Sequence, residues 1–438
     1  MDATPLIFFV VVLLLLLSGF PVAFTLGGAS VLFGLFIFGI DFFNLLPMRI
    51  WGIMNNYILI AVPLFVFMGV MFEKSGLAEE LLETMALLFG KLRGGLAFSV
   101  LIVGALLAAA TGIVGATVVT MGVLTLPTML KKGYNPKVAT GIIAASGTLG
   151  QIIPPSIVLV LLGSVLNISV GDLFLAAVIP GFVLVLMYLL WLIIIAFVKP
   201  KDAPSMPKED LLQFTGKIRF KKIITAFLIP FFLILAVLGS IFAGIASPTE
   251  AAALGAVGAT LLTVVKGKFN LKTLNEVMKS TMTLTSMAFI ILAGASAFGL
   301  VFRGMGGDRY LTELIVSGAL EPEHFLAIVM VIIFIAGFFI DFIEITFIIV
   351  PVVAPIFIHL NVDLLWIGIL IAINLQTSFL TPPFGFALFF LKGVAPPQVS
   401  TMHIYKGIVP YVVIQIIGLI IVILYPEIAL WLPKLMSN

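Results

Sequence analysis

Two carboxylates, Asp341 and Glu344, stand three residues apart in FIAGFFIDFIEITFIIVPVVAP, a stretch with no other charge. A carboxylate held in hydrocarbon is costly, so one found there is partnered or functional. At i, i+3 the pair can share one helix face. Three roles suit it: Na⁺ ligand, proton carrier, or cap of a half-helix N-terminus, where free amides and the positive dipole end favour an anion. Two further constellations combine hydroxyls and glycines with a double proline. One reads SGTLGQIIPPS, from Ser146 to Ser156, and the other QTSFLTPPF, from Gln376 to Phe384. A fourth segment, ATGIVGAT, spans 110–117. Broken backbone frees carbonyls that can ligate Na⁺, and half-helix N-termini present amides to an anion. Small residues also pack membrane helices closely, and for any single residue that explanation suffices. The set, at two matched places with a proline pair in each, points to ions and substrate.

These residues must be held by membrane helices. The chain has 438 residues, of which 62% are apolar and 10% charged. A soluble domain has roughly 25% charged residues. A net charge of +3 excludes a nucleic-acid binder driven by a basic surface. Cysteine is absent, which removes disulfides and thiolate chemistry. The three histidines, His324, His359 and His403, are too scattered for a metal site. Runs long enough to cross about 30 Å of hydrocarbon occur near 5–19, 22–45, 56–72, 174–198, 223–246, 251–265, 281–302 and 408–428. The first lacks a basic flank and Pro21 leads straight into the next, so it is expected as a retained span rather than a signal peptide.

Four stretches are awkward. Residues 95–130 and 325–358 are too long for one span, and 138–165 and 364–391 are interrupted by polar residues and prolines. The basic loop 199–222 carries Lys199, Lys201, Lys208, Lys217, Arg219, Lys221 and Lys222 and is placed in the cytoplasm. Lys91 with Arg93, Lys131 with Lys132 and Lys137, Lys266 with Lys268, and Lys392 also come out cytoplasmic if the two long stretches are re-entrant hairpins dipping in from opposite faces. The N-terminus is then periplasmic. Two thin spans in place of each hairpin would give similar parity, but with arms of about 15 residues, short for a crossing. Pro127 and Pro355, and the two proline pairs, repeat at an offset of 228, and Pro180 matches Pro410 at 230. Inverted repeats with interrupted helices mark secondary transporters.

Other polar residues have structural explanations. Ser247 with Glu250 is a helix-start pattern, Asn55 and Asn56 open a span, and Arg303 and Arg309 belong to an arm after a span. Residues 73–93 form an amphipathic arm expected along the membrane surface.

NNYILIAVPLFVFMG (55–69), GTLGQIIPPS (147–156), ASPTEAAALGA (246–256) and the 337–383 region together give a resemblance. The chain resembles the large membrane subunit of tripartite ATP-independent periplasmic (TRAP) transporters, the DctM type, over essentially its whole length. The resemblance implies an all-α polytopic membrane protein of the bacterial inner membrane, an inverted-repeat elevator transporter with two re-entrant hairpins and two discontinuous helices. It implies a carboxylate substrate, two or more coupled Na⁺ ions, and no ATP, enzyme activity or other cofactor. It further implies two partners, a small four-helix membrane subunit and a periplasmic substrate-binding protein. The small subunit's helices are not visible as an extra block, so a separate partner is expected.

Carried over residue by residue, the first Na⁺ site falls on Thr111, Gly112, Gly115, Thr117, Gly147, Thr148 and Gly150. The second falls on Gly337, Asp341, Glu344, Gln376, Thr377 and Thr381. Substrate falls between the tips, on Thr111, Ser146, Pro154, Pro155, Ser378, Pro382 and Pro383. Residues 94–198 and 324–430 are expected to move, 1–93 and 223–323 to stay as scaffold, and 431–438 to be a periplasmic tail. Two departures leave substrate class open: tip one is poorer in serine than the family's usual loop, and tip two carries a second acid. A stand-alone or proton-coupled carrier of the same architecture is the alternative. An intramembrane enzyme lacks a nucleophile–base pair, and a channel lacks tips repeated about an axis.

Overall fold

Within hydrocarbon every amide and carbonyl must be paired inside its own segment, which leaves helices as the open-chain solution. The computed structural model describes residues 3–207, 209, 216–317, 321–382 and 385–436, and among them there are helices and no strands. Pro383 and Lys208 lie outside the described residues. Among the described residues seven helices are long and apolar enough to cross a bilayer, and a bent pair, Phe342–Ile348 and Val350–His359 at 49°, reaches that length only when its two parts are taken together. Pro351, which has no N–H to give back to the preceding turn, stands just past that bend.

One group of helices comprises Thr4–Leu17, Val22–Phe38, Tyr57–Lys74, Arg219–Phe242, Pro248–Val265 and Leu271–Gly304. The last is 34 residues long, or about 51 Å at 1.5 Å per residue, far more than the bilayer core needs. It crosses Val22–Phe38 closely, because a Cβ added at Gly294 would lie 2.6 Å from the Ala23 carbonyl oxygen. Small residues at such crossings replace the hydrophobic drive that lipid removes. The second apolar run stops at Phe38 rather than 45, where Gly39 turns the chain at φ +75°. A 3₁₀ turn, Ile40–Leu45, and a short helix, Leu46–Met54, follow, the latter exposing Met48 and Trp51.

The second group holds the irregular segments. The first hairpin is Gly95–Thr111 and Val114–Lys131. Its broken partner is Pro136–Thr148, a 3₁₀ turn Leu149–Gln151, an irregular stretch at 152–156, and Ile157–Leu166. The second hairpin is Pro322–Ala336 followed by the bent pair, and its broken partner is Leu364–Leu380 and Phe386–Val394. Val170–Val198 and Thr401–Leu424 complete the two halves.

The repeat is written into the backbone as well as the prolines. Asn135 and Asp363, 228 apart, cap the two broken helices in the same way, each side chain accepting the N–H two residues on. Gly133 and Asn361, also 228 apart, both take the left-handed conformation that ends a hairpin's outbound helix. Gly76 and Gly306, 230 apart, do so before the amphipathic arms Leu77–Phe89 and Gly307–Ser317.

The first arm buries Leu77, Leu81, Leu82 and Met85 against the hairpin helix Gly95–Thr111 and the π-helical turn Ile223–Leu228, so its apolar face is covered by protein. Glu80 fixes it to Lys266 at 2.7 Å, with Lys268 at 3.7 Å. In the second arm, desolvation raises the half-buried Asp308 carboxyl above its usual range, partly offset by Arg303. The start of the basic loop is tied down too. Gly94 donates its N–H to the Ala203 carbonyl at 2.9 Å, and the Asn135 amide donates to Asp202 at 3.0 Å.

Candidate functional site

A cavity of about 840 Å³ lies where the two groups meet. Tip one lines it with Ile113, Val114, Gly115 and Ala116, and tip two with Phe339, Ile340, Asp341, Phe342 and Glu344. Phe379, Phe386 and Phe390 come from the second broken helix. The opposite wall is apolar, from residues 19–24 and from Leu284, Met287, Ile290 and Ile291.

Around tip one, Gly112 ends the inbound helix at φ +61°, a conformation a side chain would strain. The Thr111 and Thr117 hydroxyls meet at 2.7 Å. The break packs onto the same hairpin at backbone distance. A Cβ on Gly147 would collide with Val118, and one on Gly150 with the Ala108 carbonyl. Thr148 donates its hydroxyl to the Ala145 carbonyl at 2.9 Å. Gly115 faces elsewhere: a Cβ there would lie 2.8 Å from the Phe390 ring of the other repeat. The expected first-site residues other than Gly115 thus cluster along the seam between hairpin and break.

Around tip two, both acids serve a helix start. Asp341 Oδ1 accepts the Phe342 N–H at 2.7 Å, and Glu344 Oε2 accepts the Asp341 N–H at 3.0 Å, forming a reciprocal capping box for Phe342–Ile348. Both also line the cavity, so capping does not remove them from it. Gly337 abuts Ser378 so tightly that a Cβ would overlap its hydroxyl, and Gly104 abuts Ser146 in a similar way in the first half, about one helical turn out of the repeat register. Thr377 and Thr381 donate their hydroxyls back to Ile373 and Thr377 carbonyls, each at 2.8 Å. Gln376 lies on another face of its helix. It is fully buried beside the Tyr188 hydroxyl, without hydrogen-bond geometry to it, and neither amide atom has a partner among the described residues. Tyr188 accepts instead from the Gln415 amide at 2.6 Å and packs edge-on against Tyr411.

None of Thr111, Ser146, Pro154, Pro155, Ser378 and Pro382 lines the cavity. Ser146 and Ser378 are buried in the two seams, and Pro154 and Pro155 are buried in the first break. The lining residues that motif reasoning missed are the phenylalanines. Phe342, Phe379 and Phe386 form a chain of rings with centroids 6.4 and 5.3 Å apart. Their signal was positional, since each stands next to a polar break. The two tips also differ electrically. Val114–Lys131 begins at Ile113 with no side-chain cap, and Phe386–Val394 begins uncapped at Gly385, whereas Phe342–Ile348 carries its own carboxylates.

Comparison with known proteins agrees with this architecture. Residues 9–428 match the family model described as the tripartite ATP-independent periplasmic transporter, DctM component. The C4-dicarboxylate TRAP transporter large permease protein DctM of Vibrio cholerae is 31% identical, covering 98% of this chain and 97% of that protein. The ectoine TRAP transporter large permease protein TeaC of Halomonas elongata is 30% identical, over 96% and 97%. Among solved structures, the YdaH transporter of Alcanivorax borkumensis shares the fold with a TM-score of 0.63 at 15% identity, over 98% of both chains. The chain belongs to the DctM component family of tripartite ATP-independent periplasmic transporters, and is a multi-pass membrane transport protein rather than an enzyme.

Proposed function

We propose that the protein takes up a small organic acid across the bacterial inner membrane, coupled to Na⁺. It would act as the large membrane subunit beside a small four-helix membrane subunit and a periplasmic binding protein that delivers substrate. One observation carries this reading: a cavity is walled on one side by both hairpin tips and on the other by residues 19–24 and the long helix Leu271–Gly304. Residues 94–198 and 324–430 act as the moving unit, and 1–93 and 223–323 as the scaffold, in an elevator cycle. In this reading the N-terminus is periplasmic and the basic loop cytoplasmic, an orientation supported by the Lys and Arg distribution.

Na⁺ at each tip-and-break seam would use freed carbonyls and the threonine hydroxyls, and Asp341 with Glu344 would supply negative charge at the second. Each net charge entering at about −100 mV gains about 2.3 kcal/mol. Proton coupling is the second reading, favoured by the presence of two carboxylates on the cavity wall. The test is reconstitution of the full system in liposomes, with uptake of labelled organic acids under an imposed Na⁺ or proton gradient. Uptake indifferent to Na⁺ refutes the coupling, and uptake without the binding protein refutes the tripartite assignment.

A further inference from the structure

We infer that the cavity selects a monocarboxylate with an apolar, ring-sized body over dicarboxylates and polyhydroxylated acids. The inference rests on the transport reading above and names its substrate class.

The lining decides it. Among the described residues, Asp341 and Glu344 are the polar side chains on the cavity wall, and both already serve the cap of Phe342–Ile348. No Lys, Arg, hydroxyl or side-chain amide among the described residues lines it. A second carboxylate, or a row of hydroxyls, would leave water without side-chain donors to meet it, and under-partnered buried polar groups are strongly disfavoured. An apolar body meets the opposite situation, with Phe339, Phe342, Phe379, Phe386 and Phe390 on one wall and Phe24 on the other. Ring faces and edges suit a flat apolar group.

Polarity also fixes which end goes where. At tip two the substrate's one carboxylate finds the helix start already capped by Asp341 and Glu344. It is drawn to Val114, Gly115 and Ala116, the uncapped first turn of Val114–Lys131 that lines the same cavity. Gly115 is small there because the Phe390 ring lies against it.

The test is equilibrium binding of labelled phenylacetate to the purified full-length chain with its small membrane subunit, in NaCl or KCl. Unlabelled succinate, gluconate and laurate serve as competitors. Phenylacetate should bind at least about tenfold more tightly than succinate or gluconate, a difference of about 1.4 kcal/mol. Gly115→Ala, which pushes the Phe390 ring, should weaken phenylacetate about tenfold with an unchanged melting transition. Phe390→Ala, which removes the ring without crowding the turn, should narrow the preference over succinate. Succinate or gluconate binding as well as phenylacetate overturns the inference, as does absence of phenylacetate binding. Laurate binding more tightly than phenylacetate overturns it too, by marking a lipid seat. Phenylacetate preference that is equal in NaCl and KCl would leave the substrate class standing and remove the Na⁺ coupling.

Discussion

Asp341 can be asked which of its possible tasks it performs, because asparagine and alanine separate them. Its Oδ1 accepts the Phe342 N–H at 2.7 Å, and its own N–H is held by Glu344 at 3.0 Å. Asparagine caps a helix about as well as aspartate, whereas alanine costs about 1 kcal/mol. Asp341→Asn should therefore keep the melting transition of the parent, and Asp341→Ala should lower it by about that amount. The charge is a separate matter. A carboxylate about 4 Å from a cation contributes about 4 kcal/mol at an effective dielectric near 20. An amide oxygen retains part of this, so the expected loss is at least about 1.4 kcal/mol, or a tenfold rise in half-saturating Na⁺. The assays are thermal unfolding of the purified protein and Na⁺ titration of uptake in liposomes. Native Na⁺ dependence in Asp341→Asn would reduce the residue to a cap. Equal destabilisation of the two variants would instead refute the capping argument.

Further outcomes follow from the packing. Gly337→Ala puts a methyl group onto the Ser378 hydroxyl and should cost about 1–3 kcal/mol. Adding Ser378→Gly should recover most of it, and additive losses in thermal unfolding would show that the two residues do not oppose each other. Tyr411 buries a hydroxyl that has no partner among the described residues. Tyr411→Phe should therefore leave unfolding unchanged or raise stability by about 1 kcal/mol, and a clear loss would reveal an unseen partner such as bound water. Glu80→Ala should lower stability by about 1 kcal/mol, with the deficit shrinking in high salt, because it removes the partner of Lys266 and Lys268.

Much of this architecture is legible in residue order because the cues are backbone cues. Prolines 127, 154, 180, 355, 382 and 410 and glycines 112 and 133 act wherever they stand, and they mark the breaks, turns and repeat. Facing is another matter. In a soluble helix the polar face names the outside, but here lipid and protein interior are equally apolar. Phe8, Val12 and Leu16 are buried in Thr4–Leu17 while Leu14 is open, and residue type does not distinguish them. The same loss hides which side of Leu364–Leu380 meets what. Asn374 and Ser378 turn to the second hairpin, and Gln376 turns to Tyr188. It also hides part of the cavity, since Phe390 on its wall looks no different in sequence from the exposed Phe389 beside it. The helix Leu46–Met54 escaped because it continues an apolar run, and the turn that ends that run rests on Gly39 alone.

The glycine-against-serine joints have a mechanical corollary. Gly104 with Ser146, and Gly337 with Ser378, leave no room for a single carbon between a hairpin and its broken partner. A tip that flapped open like a hinged door would have to unzip such a joint along its length. Interlocked this way, hairpin and neighbour form one packed block, and in the elevator cycle proposed above that block would slide whole rather than lift its corner.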